Sequence, residues 1–213
     1  MQTGTQKVFN LIILDESGSM GSIKSPTILG FNEIVQTIKG IEQQYPNQEH
    51  FISFLSFNGL GRKTFLWNEP VKKLQEINTA TYQPASSTPL FDAIGYSVCR
   101  LNAELNSLQD YHILVTIFTD GEENASVEFS GAHIKSLIEE LKEKRWVFTY
   151  IGTDHDVTKV ANSISINNTM MFDKSTRGLK DMFKKETNAR MNYSKKINSK
   201  EDDLNDYYGK ESK

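Results

Sequence analysis

The chain has 213 residues, 38% of them hydrophobic, and its 24 basic and 27 acidic side chains give a formal net charge of -3 at pH 7. This length and composition favour a single globular domain with a sizeable core, and the near balance of charge excludes a general affinity for nucleic acid or for anionic membranes. Because Cys99 is the only cysteine, the start is polar rather than signal-like, and the apolar runs fall far short of a membrane span, we expect a cytoplasmic protein without disulfides.

The first half of the chain predicts a buried strand, a helix and a hairpin. Residues 8–14 (VFNLIIL) are almost entirely apolar, which is typical of a strand buried on both faces. Pro26 opens a helix whose apolar residues recur at positions 31, 34, 35 and 38, along one helix face. Residues 50–57 predict a second strand. Turn residues at 58–61 lead from it into a short strand at 64–67, which we expect to be an antiparallel edge strand.

The second half predicts strands at 112–118, 146–151 and 169–172, alternating with helices. The helices are indicated by apolar residues at helical spacing, at 94, 98, 101, 105 and 108, at 134, 137, 138 and 141, and at 179, 182 and 183, with shorter helices near 70–83 and 156–163. This order predicts an α/β fold, a doubly wound and mostly parallel six-stranded sheet with helices on both faces and one antiparallel edge strand. We expect the domain to span residues 6–190, and residues 191–213 to form a polar C-terminal tail or a frayed helix.

The loop after the first strand offers three oxygen ligands. Asp15, Ser17 and Ser19 form a D-x-S-x-S pattern at the strand's end, and in a parallel sheet ligands bind at the carboxyl ends of the strands. A carboxylate and two hydroxyls with no neighbouring Cys or His argue against zinc and copper and favour a hard cation such as Mg²⁺. The alternative is a strand-to-helix turn in which these side chains cap the next helix.

Two further loops contain oxygen ligands that the predicted sheet would bring near the first. Thr88 precedes Pro89 at the start of a helix, where its alternative role is to cap that helix. Asp120 follows the strand at 112–118, where an ordinary Asp-Gly turn is the alternative. The first strand and the strand at 112–118 can be neighbours at the switch point of a doubly wound sheet, so we expect the three loops to converge.

Taken together, the three loops resemble the metal-ion-dependent adhesion site of the von Willebrand factor A domain family, which includes the integrin I domains. The resemblance covers residues 8–172, with LDESGSM around Asp15, Ser17 and Ser19, SSTPLFDAIG around Thr88, and FTDGEEN around Asp120. It implies a Mg²⁺ site, with Ca²⁺ or Mn²⁺ as alternatives. In that site Ser17, Ser19 and usually Thr88 bind the ion directly, and the two aspartates bind it directly or through water. It also implies a protein-binding module rather than an enzyme, whose bound ion takes an Asp or Glu from a partner protein.

One residue departs from the family pattern. Glu16 occupies a position where the family usually has a small or neutral residue. We expect an acidic rim that strengthens cation binding and shifts the preference toward Ca²⁺, or favours a partner with basic residues; its members would be Glu16, Glu122, Glu123, Asp154 and Asp156. The alternative is that these acids face solvent. By the same resemblance, a helix at 176–191 is the element whose movement would switch the site between open and closed forms.

Catalytic functions fit the same residues less well. A dehalogenase-type phosphatase would need a second Asp at Ser17, a nucleophile elbow needs G-x-S-x-G, and a receiver domain needs a Lys where Gly152 and Thr153 stand. The sequence has no G-x-x-x-x-G-K-S/T phosphate loop, and the candidate base, His155, is a lone loop histidine of the kind that is usually solvated. We therefore favour an intracellular adaptor or regulatory subunit over a metal-dependent hydrolase. Stand-alone members of the family often work beside AAA+ ATPases of the chelatase or MoxR type, or in stress-resistance complexes, and such an ATPase is the alternative partner.

Overall fold

The computed structural model describes residues 5–153, 157–201 and 203–209 of the chain. Its strands are β1 (Gln6–Asp15), β2 (Gln48–Asn58), β3 (Gly61–Pro70), β4 (Tyr111–Phe118), β5 (Trp146–Gly152) and β6 (Asn168–Met171). Its helices are α1 (Lys24–Gln44), α2 (Leu90–Leu105), α3 (Gly131–Lys142), α4 (Val157–Ser163) and α5 (Thr176–Asn198), with short 3₁₀ helices at Gly18–Ile23 and Val71–Lys73. The predicted alternation of strands and helices is confirmed.

The sheet has β1 at its centre, between β2 and β4. The strand order is β3-β2-β1-β4-β5-β6, and every neighbouring pair is parallel except β2 and β3. The predicted doubly wound sheet with an antiparallel edge strand is therefore confirmed. Leu14 of β1 pairs with Phe118 of β4, so the two strands end side by side at the carboxyl edge. Asp15 and Asp120 consequently start from adjacent strand ends.

Helices cover both faces of the sheet, which is why β1 is apolar along most of its length. Ile13 belongs to a core that includes Ile94 of α2. Ile12 belongs to the core on the other face, which includes Phe31 of α1. Alternate side chains of a strand point to opposite faces, so a strand covered on both sides has no solvated face for polar residues.

The start of α2 differs from the sequence expectation for Thr88. The N-cap residue of α2 is Pro89, and it makes no side-chain capping hydrogen bond. The backbone N–H groups of Phe91 and Asp92 donate instead to Glu123 and Ser126, in the loop after β4. The alternative role of Thr88 as the cap of this helix is therefore wrong.

The last helix is longer than the sequence pattern predicts. α5 continues to Asn198, so the expected boundary at residue 190 falls inside it. Tyr193 and Ile197 of α5 are buried, as are Leu204 and Tyr207 in the segment that follows. These apolar side chains pack with residues of β1, β4 and β5, which corrects the expected polar tail or frayed helix. Among the described residues, no helix is both long and apolar enough to cross a lipid bilayer.

A buried ion pair joins α5 to the centre of the sheet. The Arg190 side chain is 2% exposed, and its Nε lies 2.9 Å from Glu186 Oε1, one helical turn earlier. Arg190 also donates to Asn10 Oδ1 of β1 at 3.2 Å and to Thr116 Oγ1 of β4 at 2.6 Å. The hydroxyl of Tyr207 donates to Glu186 Oε1 at 3.0 Å, so the segment after α5 closes over the same pair.

Candidate metal-binding site

Asp15, at the end of β1, is fully buried and held by three neighbouring groups. Its Oδ1 accepts from the backbone N–H of Ser17 at 2.7 Å, its Oδ2 accepts from Thr119 Oγ1 at 2.6 Å, and its carbonyl oxygen accepts from the Tyr82 hydroxyl at 2.6 Å. Burial raises the pKa of Asp15 from 3.8 to about 6, against the lowering effect of the hydrogen bonds from Thr119 and Ser17. Thr119 and Tyr82 were not predicted from the sequence, although Thr119 directly precedes Asp120.

Ser17, Ser19 and Asp120 form a hydrogen-bonded chain. Ser17 Oγ and Ser19 Oγ are 3.2 Å apart, and Ser19 Oγ donates to Asp120 Oδ1 at 2.6 Å. The backbone N–H of Gly18 donates to Ser86 O at 2.9 Å, which ties this loop to the segment before Thr88. The predicted oxygen ligands of the loop after β1 and of the loop after β4 therefore lie side by side.

Thr88 reaches the same place from the second loop. Its backbone N–H donates to Asn124 Oδ1 at 2.8 Å, and its carbonyl oxygen accepts from Asn124 N at 3.2 Å. A Cβ built on Gly121 would lie 3.6 Å from both Thr88 Oγ1 and Ser19 Oγ, so the two hydroxyls border the same space. All five predicted residues therefore lie together at the carboxyl edge of the sheet. We call these five oxygen ligands the donor group: Asp15, Ser17, Ser19, Thr88 and Asp120.

A lysine that was not predicted from the sequence also lies beside these five residues. Lys174, in the loop between β6 and α5, places its Nζ 3.2 Å from Asp120 Oδ2. That oxygen is buried and makes no hydrogen bond within the described parts of the chain, and the Lys174 ammonium is its charged neighbour. Because β6 is parallel to β5, the segment after it arrives at the same edge, and this topology is the signal that could have indicated Lys174.

Glu16 turns away from the donor group, although it follows Asp15 in the sequence. Its carboxylate accepts hydrogen bonds from Ser56 Oγ and from the backbone N–H of Gln83, and it forms an ion pair with Lys63 at 3.2 Å. Glu16 is 5% exposed. The expected place of Glu16 in an acidic rim is therefore wrong. The alternative that it faces solvent is also wrong, because its carboxylate is buried among hydrogen-bonding partners on the β2–β3 side of the sheet.

Glu123 is also used inside the protein. Its Oε2 accepts from Phe91 N of α2 and from Ser126 Oγ, at 2.8 and 2.6 Å. This second residue of the predicted rim therefore fixes the loop after β4 to α2. Glu122 is exposed, while Asp154, His155 and Asp156 lie outside the described residues.

The five converging side chains offer oxygen alone: two carboxylates and three hydroxyls. In the described ranges no group of three or more Asp, Glu, His or Cys side chains is placed to hold a metal ion, so binding here would depend on the hydroxyls. A hard cation with few carboxylate ligands fits this donor set, whereas zinc and copper prefer nitrogen or sulfur. Asp120 Oδ2 is buried and makes no hydrogen bond within the described structure, although the Lys174 ammonium lies 3.2 Å from it, so this oxygen has room for a cation only where that ammonium gives way.

A cavity of about 540 Å³ lies at the opposite edge of the sheet. It is bordered by Gln6 and His112, near the starts of β1 and β4, and by Ile197 of α5. Its wall mixes acidic and basic side chains, including Asp110 and Arg145, which pair with each other at 3.0 Å. None of the five donor residues borders it.

The sequence matches the model of the von Willebrand factor type A domain over residues 11–197. No protein of curated function matches the chain significantly in sequence.

Solved structures share the fold at low sequence identity. Proximal thread matrix protein 1 from the mussel byssus has a TM-score of 0.56 and 14% identity, over 88% of this chain and 47% of that protein's chain. The pilus adhesin SpaC from Lactobacillus rhamnosus GG, in its open conformation, has a TM-score of 0.61 and 11% identity, over 89% of this chain and 30% of that one. The SpRpn10 VWA domain has a TM-score of 0.56 and 10% identity, over 84% of this chain and 94% of that domain. The chain thus spans about half of the mussel protein and under a third of the adhesin, and the likeness shows a common fold.

Proposed function

Since the chain belongs to the von Willebrand factor type A domain family, we propose that it is a protein-binding module. Its divalent cation would be held by the five donor residues Asp15, Ser17, Ser19, Thr88 and Asp120. Domains of this family mediate protein binding and often bind a divalent cation. The observation that supports the proposal is the meeting of two carboxylates and three hydroxyls, from three separate loops, at the carboxyl edge of the sheet.

The donor group favours Mg²⁺. Two carboxylates balance the charge of such an ion, and Mg²⁺ characteristically uses few carboxylates and keeps several waters. When bound, the ion supplies an electrophilic position that can accept a carboxylate from a partner protein. Ca²⁺ and Mn²⁺ also prefer oxygen ligands and are the alternatives to compare.

The protein's own groups prepare Asp15 for a cation. Thr119 Oγ1 and the backbone N–H of Ser17 fix its two oxygens, while burial raises its pKa to about 6. A positive charge beside such a carboxylate favours the ionised form, so cation binding would offset the cost of burying it. We propose that the site acts by binding and not by catalysis, because the side chains that the phosphatase, nucleophile-elbow and receiver mechanisms require are not found at Ser17, around Ser19 or at Gly152.

Thermal unfolding in EDTA, and then in Mg²⁺, Mn²⁺ or Ca²⁺, tests the metal site. A site with a dissociation constant of about 1 mM should gain roughly 1.4 kcal/mol of stability at about 10 mM metal. For a chain of this size that is a rise in Tm on the order of 3–6 °C. Asp15→Ala should abolish the rise. Glu16→Gln is the matched control, since the neighbouring carboxylate lies outside the donor group, and it should keep the rise.

A metal-dependent pull-down tests the partner. The wild-type chain should capture a protein in Mg²⁺ and release it in EDTA, and Asp15→Ala should capture none of it under either condition. Replacing acidic residues in the captured protein should identify the carboxylate that binds. Equal capture by wild type and Asp15→Ala, or capture that EDTA does not affect, would contradict a metal-mediated mechanism.

A further inference from the structure

Lys174 is a charged residue that lies beside the donor group but is not one of its five proposed metal ligands. Its Nζ lies 3.2 Å from Asp120 Oδ2, and its side chain is 30% exposed whereas that of Asp120 is fully buried. We propose that Lys174 determines the metal affinity of the site by competing with the divalent cation for Asp120, and that metal binding releases its ammonium group. This inference rests on the proposed function, because it assigns a role to a residue beside the same site.

The backbone around Lys174 is held by local hydrogen bonds. The backbone N–H of Ser175 donates to Asp173 Oδ1 at 2.6 Å, and Ser175 Oγ accepts from Gly178 N at 3.0 Å as the N-cap of α5. A Cβ on Gly178 would lie 2.5 Å from the Asp173 carbonyl oxygen, which shows how closely the loop and the helix start approach each other. The ammonium group is therefore delivered from a defined turn at the start of α5.

One oxygen of Asp120 accepts a hydrogen bond and the other lies beside a positive charge. Oδ1 accepts from Ser19 Oγ at 2.6 Å, and Oδ2 faces the Lys174 ammonium. A divalent cation and an ammonium group both seek carboxylate oxygen, and a carboxylate that neutralises one attracts the other less. Lys174 thus makes the metal-free arrangement more favourable, which lowers the net gain from binding the metal.

The other charges around the donor group also support competition between Lys174 and the metal. Asp15 contributes a second buried carboxylate, while Glu16 and Glu123 are engaged with other groups. Removing the charge of Lys174 would leave two carboxylates facing the shared space without this ammonium. For a partly exposed ion pair we expect an increase in Mg²⁺ affinity of about three- to tenfold.

Isothermal titration with MgCl₂ tests the competition in the full chain. Lys174→Met should bind Mg²⁺ about three- to tenfold more tightly than wild type, and Lys174→Arg, which keeps the charge, should stay close to wild type. Lys184→Met is the matched control: this exposed lysine of α5 lies nine residues after the cap, roughly 13 Å along the helix, and should leave the affinity unchanged. Circular dichroism establishes that each variant is folded.

Residue-specific labelling of lysine amines tests the release. Adding Mg²⁺ to the wild-type protein should increase the labelling rate of Lys174 and leave that of Lys184 unchanged, and Asp15→Ala should show no Mg²⁺ effect at either position. A Lys174→Met affinity equal to or below that of wild type, or a Lys174 labelling rate that Mg²⁺ does not raise, would overturn the inference.

The Mg²⁺ affinities of the variants separate a role for Lys174 from the metal site itself. If wild type binds Mg²⁺, Asp15→Ala does not, and Lys174→Met has wild-type affinity, then the metal site stands and Lys174 has no role in it. If wild type, Lys174→Met and Asp15→Ala all fail to bind any of the three metals, the proposed function and the inference fail together.

Discussion

Replacing Arg190 should destabilise the fold more than replacing any exposed charge on the same helix. Arg190→Met keeps the length of the side-chain stem but removes the partner of Glu186, whose side chain is fully buried. It also removes donors to Asn10 and Thr116 in the two central strands. Breaking a buried ion pair by removing one partner costs about 3–5 kcal/mol, because the other charge stays buried without its counter-ion. Glu186 would keep only its hydrogen bonds from the hydroxyls of Tyr207 and Tyr208. For this chain length the Tm should fall by roughly 10 °C.

Urea unfolding followed by far-ultraviolet circular dichroism measures this loss. Arg177→Met is the matched control, since Arg177 is 93% exposed and lies 3.8 Å from Asp181; it should cost less than about 0.5 kcal/mol. The double variant Arg190→Met with Glu186→Gln should recover at least about 1 kcal/mol of the loss, because it removes the unpaired charge. A loss below about 1 kcal/mol for Arg190→Met alone would refute the reasoning.

Three further predictions concern the core. Burial, with a smaller effect of the Arg190 charge, lowers the pKa of His50 from 6.5 to about 4, so the unfolded chain takes up a proton first as the pH falls. Wild type should lose about 2 kcal/mol more than His50→Gln between pH 8 and pH 5 in urea unfolding, and equal pH profiles would count against this. A Cβ on Gly30 would lie 1.8 Å from Phe183 Cδ2, so Gly30→Ala should cost about 1–3 kcal/mol by overpacking. Gly40→Ala in the same helix, where a Cβ meets nothing within 4 Å, should be neutral or stabilising by up to about 1 kcal/mol; similar Tm values for the two variants would contradict the clash. A chain ending at residue 199 lacks the buried Leu204 and Tyr207 and should lose about 3 kcal/mol or more, and an unchanged urea midpoint would show that they do not stabilise the fold.

The strands and most helices could be predicted because their signals are local. β1 and β4 are nearly continuous apolar runs, and both are buried by helices on the two faces of the sheet. The short β3 pattern after a Gly-containing turn predicted an antiparallel edge strand, which the strand order confirms. The segment after residue 190 could not be judged in this way, since its few apolar residues lie among charged ones and their burial depends on the sheet beneath them.

The position of Glu16 could not be predicted from its neighbour in the sequence. It was expected beside the donor group because it follows Asp15, but its carboxylate is directed to Ser56, Gln83 and Lys63. Side chains of consecutive residues in an extended chain point in opposite directions, so residues 15 and 16 serve different surroundings. The three groups that hold the Glu16 carboxylate come from parts of the chain at least 40 positions away.

The five residues proposed to bind the cation could be named from local sequence patterns together with the family resemblance. Asp15, Ser17 and Ser19 are fixed by their spacing in one loop, and Thr88 and Asp120 by their places at a helix start and a strand end. Which charges lie beside these residues depends on the folded structure: Glu16 is turned away, and Lys174 is brought to Asp120 from the loop after β6. The physical reason is that ligand type and strand ends follow from local chemistry, whereas burial and long-range ion pairs depend on how distant segments pack.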